Sequence, residues 1–245
     1  MIKLHYLDKY IEEQLLIQNE ERSAKHEPSG KLSASMLGNP LQWCILKTIG
    51  VPSKELDEYV IRKFRRGDHV EEWLTSYMPG IINKQKFVEY KNTIGYVDAI
   101  VDMRDWNLEQ YGTIPHEIKS VTNFKFKRIV GNGGADESHC LQACLYALAL
   151  GANHFVVNYV ASDDYRVESI LEETADYKDM VDEIIDAYDK QIESQTVPVF
   201  EARYDWQSQG KYNNYPEFMN LNEKEIEYTL QKKYPEAYKK LKGQE

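Results

Sequence analysis

The sequence predicts an α/β protein with a central mixed β-sheet flanked by helices, elaborated by helical segments at both ends. Two observations carry that prediction. Apolar residues switch between helical and alternating periods in the order helix, three strands, helix, two strands, helix. In addition, 42% of the 245 residues are hydrophobic, which is enough for a real core, and no internal repeat, low-complexity tract or long linker divides the chain. Residues 1–245 are therefore expected to form one domain, with a core over about 54–194, a helical N-terminal segment at 1–53 and an aromatic, then helical, tail at 195–245.

Each element has its own signal. Residues 8–22 have the pattern of a polar amphipathic helix, broken by Glu27 to Gly30 with Pro28. Ser33-Ala34-Ser35 is a cap signal ahead of an apolar segment that ends near Gly50-Val51-Pro52. A long helix is expected over Lys54 to Met78, stopped by Pro79-Gly80. Strands rich in β-branched and aromatic residues follow at Lys84 to Lys91, Ile94 to Asp102 and Thr113 to Val121. Gly131-Asn132-Gly133-Gly134 is expected to form a mobile loop. It leads into a helix over Ser138 to Leu150 whose buried stripe is Leu141, Cys144, Leu145 and Leu148. Two further strands, His154 to Ala161 and Tyr165 to Ile170, precede a helix from Thr174 to Ser194. The tail turns helical at Asn222, and Pro235 interrupts it.

A net charge of -10 argues against a protein that coats nucleic acid nonspecifically, though not against a local basic groove. The three cysteines, Cys44, Cys140 and Cys144, contain no Cys-x-x-Cys pair, so neither a disulfide framework nor a structural zinc site is indicated. A basic-then-apolar leader and a membrane-length apolar run are both missing, which implies no membrane partner and a cytoplasmic location, in a bacterium or an infected cell.

The candidate chemistry lies in Gly95-Tyr96-Val97-Asp98 and Glu117-Ile118-Lys119. Strand side chains alternate, so Glu117 and Lys119 share one face and Ile118 takes the other. Asp98 interrupts a strongly apolar strand, where an unpaired charge is costly to bury. If the two strands pair, Asp98, Glu117 and the carbonyl of Ile118 form an oxygen site for Mg²⁺ or Mn²⁺, with Lys119 beside it to orient a water or stabilise charge on a phosphate. A solvated Glu-Lys pair on a surface strand is the alternative. Positive charge gathers in two places. Ile118 to Ala135 has no acid and carries Lys119, Ser120, Lys125, Lys127 and Arg128, interleaved with Phe124 and Phe126. Arg62, Arg65 and Arg66 precede Gly67. Both are candidate nucleic-acid contacts, with cations for phosphates and an exposed Phe for an unpaired base.

In this order the motifs resemble the PD-(D/E)xK nuclease superfamily, in its RecB-type branch that includes the CRISPR-associated adaptation nucleases. Gly67-Asp68-His69-Val70-Glu71 is similar to that branch's upstream helical motif, with Gly67 for close backbone approach, Glu71 as a further metal ligand and His69 at the surface. Gln142-Ala143-Cys144-Leu145-Tyr146 is similar to its Gln-x-x-x-Tyr helix, in which Gln142 and Tyr146 steady the lysine. Ser33 to Val51 resembles its amino-terminal segment and adds Ser35 to the nucleic-acid contacts. The resemblance implies a restriction-endonuclease-like core and a metal-dependent deoxyribonuclease. Exonuclease action on single-stranded or duplex DNA ends is implied, with a protein partner from a replication, recombination or repair system. Many relatives place His where Glu71 stands, and many hold an iron–sulfur cluster through one early and three late cysteines. Residues 198–219 contain no cysteine, so no cluster is expected, and aromatics such as Tyr204, Trp206, Tyr212, Tyr215 and Phe218 take its structural place. The rivals are a structure-selective endonuclease with the same site, and a non-cleaving DNA- or protein-binding module.

Overall fold

A computed structural model describes residues 6–24, 30–209 and 212–244. Six strands form one mixed sheet, β1 (Leu32–Ser33), β2 (Ile81–Tyr90), β3 (Thr93–Asp102), β4 (Thr113–Val121), β5 (His154–Ala161) and β6 (Val167–Glu173). Pairing runs β2-β3-β4-β5-β6, antiparallel except for the parallel β4–β5 pair. β2 pairs with β3 from Thr93 to Val101, so the two-residue β1, parallel to Thr93 and Ile94, lies on the edge of β3 that β4 occupies further along. The helices are α1 (Tyr6–Ala24), α2 (Leu41–Thr48), α3 (Glu58–Tyr77), α4 (Asn123–Asn132), α5 (Glu137–Leu150), α6 (Thr174–Glu193), α7 (Glu223–Lys233) and α8 (Pro235–Leu241). Among the described residues no helix is long and apolar enough to cross a membrane.

Two helical layers position the site. Ile118 packs with Val70 and Leu74 of α3 and Val160 of β5, whereas the neighbouring Lys119 reaches Gln142 of α5. Because adjacent strand residues face opposite ways, α3 and α5 cover opposite faces of β4. The α5 layer is the larger. Cys140, Leu141, Ala143, Cys144, Leu145, Tyr146 and Ala147 are all buried, so α5 is a core helix enclosed nearly all round. α2 and α6 pack with it, and the tail closes the cluster with Val197, Tyr215 and Phe218. Trp43 of α2 stacks on Phe200, and Gln42 donates to the Pro198 carbonyl at 3.0 Å.

Several expectations change. The long helix begins at Glu58 because Asp57 caps it, its carboxylate accepting from the Val60 N–H at 2.9 Å. Ser33 makes no cap bond. It ends β1, and its hydroxyl lies 3.0 Å from that of Ser35. The Lys125 to Arg128 segment is helical, started by Thr122, whose hydroxyl accepts from the Lys125 N–H. Gly131 and Asn132 are the last residues of that helix and Gly133 (φ 68°) is its left-handed cap, so the loop expected at 131–134 shrinks to its second half. Tyr165 (φ 58°) belongs to the β5–β6 turn, which moves β6 two residues later. Leu148 is only partly buried. Pro235 opens α8 rather than merely breaking α7, since its missing N–H costs nothing there. Of the break expected at Glu27 to Gly30, all but Gly30 lies outside the described residues.

Candidate active site

The β3–β4 ladder runs from Asp102/Thr113 to Ala99/His116, and beyond it the Asp98 carboxylate accepts the Ile118 N–H at 2.7 Å. A side chain thus takes a backbone donor at the point where the acids begin. Glu117 is buried, and its Oε1 contacts the Lys119 ammonium. Lys119 Nζ donates to Gln142 Oε1 at 3.0 Å, and Gln142 Nε2 donates to Tyr146 Oη at 2.9 Å. The spacing of Gln142 and Tyr146 places both on one face of α5, above the strands. Tyr146 in turn sits on Gly95, where an added Cβ would stand 2.6 Å from the Tyr146 ring and 2.9 Å from Ala34 Cβ. The glycine of Gly95-Tyr96-Val97-Asp98 therefore makes room for the tyrosine that terminates the Glu117–Lys119–Gln142 chain. At Gly67, by contrast, an added Cβ would meet no protein atom within 4 Å, so packing within the protein does not account for that glycine.

Glu71, on α3, reaches the site through a residue that the sequence did not single out. Gln85 stands opposite Asp98 in the β2–β3 register, between the Lys84/Ala99 and Lys86/Val97 pairs. Its amide donates to Glu71 Oε1 at 2.6 Å and to Asp98 Oδ1 at 3.3 Å. Its backbone is left-handed, at φ 50°, a conformation that costs a non-glycine residue about 1–2 kcal/mol. Strain of this kind concentrates at functional sites. A cleft of about 370 Å³ opens here, lined by Asp68, Glu71, Glu72, Thr75, Lys84 and Gln85. His69 is exposed.

Burial, then the charges of Glu117 and Glu71, hold the Asp98 carboxyl well above the ordinary carboxylate range, against the opposing Ile118 N–H and Lys119. Burial also raises Glu117, with Lys119 opposing and Glu71 adding. Glu117 Oε2 is buried without a hydrogen-bond partner. An acceptor with no donor, beside a second acid, is a fit for a cation. Among the described residues no three His, Cys, Asp or Glu side chains converge tightly. The structure brings Asp98 and Glu117 together and, among the described residues, joins Glu71 to Asp98 by hydrogen bonds through Gln85.

No family model matches the sequence, and no curated protein matches it. Among solved structures, the fold is similar to that of an alkaline exonuclease, LHK-Exo, from Laribacter hongkongensis, with 14% identity and a TM-score of 0.50 over 68% of this chain and 92% of that one. The likeness is one of fold. Also similar are SSO0001, at 16% identity and a TM-score of 0.48 over 85% of this chain and 94% of that one, and a phage related exonuclease from Haemophilus somnus 129PT, at 12% and 0.43 over 68% and 96%.

On this exonuclease-like fold the predicted cations have varied surroundings. Arg66 Nε donates to Ser120 Oγ at 3.2 Å, linking α3 to the strand of Lys119. Arg62 and Arg65 instead face α1, toward Glu12 and Gln18. Lys125 and Arg128 both pair with Asp136, while Lys127 is exposed. Phe124 is exposed and Phe126 buried, as the two faces of α4 require. Ser35 is exposed, in the turn that packs on α5.

Proposed function

We propose that the protein is a metal-dependent deoxyribonuclease acting on DNA ends. The observation that carries this reading is the convergence of Asp98, the orphaned Glu117 Oε2 and the held ammonium of Lys119 on a sheet whose fold resembles an alkaline exonuclease. Asp98, Glu117 and the Ile118 carbonyl would hold Mg²⁺ or Mn²⁺, with Glu71 as a further donor; these are oxygen ligands suited to a hard cation. Such an ion, when bound, polarises a phosphoryl oxygen and acidifies a water.

This chain's residues supply the rest. Lys119, fixed between Glu117 and Gln142, presents positive charge to a phosphate as negative charge develops on it. Tyr146 anchors Gln142, and so the amine. All three cysteines are buried, Cys44 in α2 and the others in α5. The proposed site works without an iron–sulfur cluster, in a replication, recombination or repair setting.

The test is digestion of end-labelled single-stranded and duplex DNA, with a closed circle, in Mg²⁺, Mn²⁺ or EDTA. Linear substrates should shorten from their ends only with metal, and the circle should survive. Cutting of the circle would instead assign an endonuclease, and intact DNA under every condition would leave a non-cleaving module.

A further inference from the structure

Phe87 and Tyr96 face each other across the β2–β3 pair, their rings edge to face with centroids 5.5 Å apart. They are 49% and 57% exposed, a large apolar surface for strand residues in a chain with a formed core. The hairpin that bears them is anchored on both sides. At its tip, the Tyr90 hydroxyl donates to Asp182, Lys91 pairs with Asp182 and Asp186, and Asn92 donates to Asp189, all on α6. Toward the other end, two residues beyond the aromatic pair on each strand, Gln85 joins Asp98 and Glu71. The aromatics are therefore presented rigidly, ~7 Å along the strand from Asp98. That is about two stacked-nucleotide steps at ~3.4 Å each.

Lys84 and Lys86 flank Gln85 on the same strand. Both are exposed, and among the described residues neither forms an ion pair, whereas the nearby Glu89 is neutralised by Lys31. Lys86 alternates with Phe87 and so leaves the ring face, whereas Lys84 lines the Gln85 cleft. A free cation at that cleft, near exposed rings on an otherwise acidic protein, matches a polyanion with uncovered aromatic faces. The interior of a duplex hides its base faces.

We infer that the β2–β3 hairpin is a single-strand cradle, in which Phe87 and Tyr96 stack on an unpaired base while Lys84 holds a flanking phosphate next to Asp98. This deepens the nuclease reading and rests on it for its role, but binding can be measured without cleavage. Anisotropy of a labelled oligothymidylate, titrated with the full chain in EDTA, should show Phe87→Ala/Tyr96→Ala weakening binding about tenfold or more. Affinity for a blunt duplex should not change. Lys84→Gln should flatten the salt dependence by about 0.7. Matching melting curves would show that the variants fold. Equal oligothymidylate affinity for wild type and the aromatic variant, no wild-type binding, or the same loss on blunt duplex overturns the cradle. So does a wild-type dimer in sedimentation that the aromatic variant abolishes, since the rings would then be a self-interface. Oligothymidylate binding lost in that variant, with no cleavage by wild type, would keep the cradle and remove the nuclease.

Discussion

On one face of β4, Glu117 and Lys119 meet Gln142 and Tyr146, which belong to a helix enclosed in the main core and resting on Gly95. On the other, Ile118 meets Val70 and Leu74 of α3, and the acid that α3 contributes is tied in, among the described residues, by the exposed, strained Gln85 beside an open cleft. The two sides teach a division of labour. The α5 side is preorganised by packing, and fixes the amine. The α3 side is packed on Ile118 and linked by Arg66 to Ser120, but its acid, Glu71, meets Asp98 through the Gln85 bridge rather than through a packed helix face.

If that division holds, Asp98→Asn and Lys119→Ala each lower cleavage by about 10³-fold with little change in melting temperature, while Glu71→Gln costs less. Equal losses at all three positions in a single-turnover assay would break the comparison. The next effect is on stability against pH. His116 is buried with Nε2 unpartnered, and burial lowers its pKa from 6.5 to about 4. The unfolded chain therefore binds a proton that the folded one refuses, so stability is lost as pH falls from 6.5 toward 4. Asp98 and Glu117, both raised, work in the opposite direction: their contribution is present below the ordinary carboxylate range and is lost as pH rises through their folded values. Denaturant titrations in EDTA should show wild type losing about 3 kcal/mol more than His116→Gln between pH 7 and 4.

A smaller loss, about 2 kcal/mol, is expected for Gly95→Ala, whose methyl must displace the Tyr146 ring or Ala34. Cleavage should fall with it, because Tyr146 anchors Gln142. An unchanged melting temperature would show that the α5 side gives way after all. The smallest change is expected for Gln85→Gly, which relieves a left-handed backbone worth about 1 kcal/mol and removes the bridge to Glu71. Stability should hold or rise slightly while Mn²⁺ affinity, measured by calorimetry, declines.

Much of this was legible in the sequence. β3, β4 and α5 announce themselves by periodicity, and Asp98, Glu117, Lys119, Gln142 and Tyr146 fall together because strand alternation and helical spacing fix their faces. What was hidden depends on contacts between elements. Gln85 has the look of any polar residue on an exposed strand, since neither its positive φ nor its register opposite Asp98 is written locally. α4 was obscured because Phe124-Lys125-Phe126-Lys127 alternates as a strand does. Gly67 stands in a familiar spacing that packing within the protein does not account for, whereas Gly95 needed Tyr146, fifty-one residues later, to explain it. Two residues suffice for β1, too few for any pattern.

The three thiols have a practical consequence. Cys44, Cys140 and Cys144 are buried and free, and burial pushes each up to about 12. In the native state they are shielded from a thiolate-seeking reagent on both counts, access and ionisation. Alkylation therefore reports opening, and the sites sit on different helices. Labelling of Cys44 ahead of Cys140 and Cys144 would show α2 and the tail peeling away before the sheet comes apart; simultaneous labelling would show that the core opens as one unit.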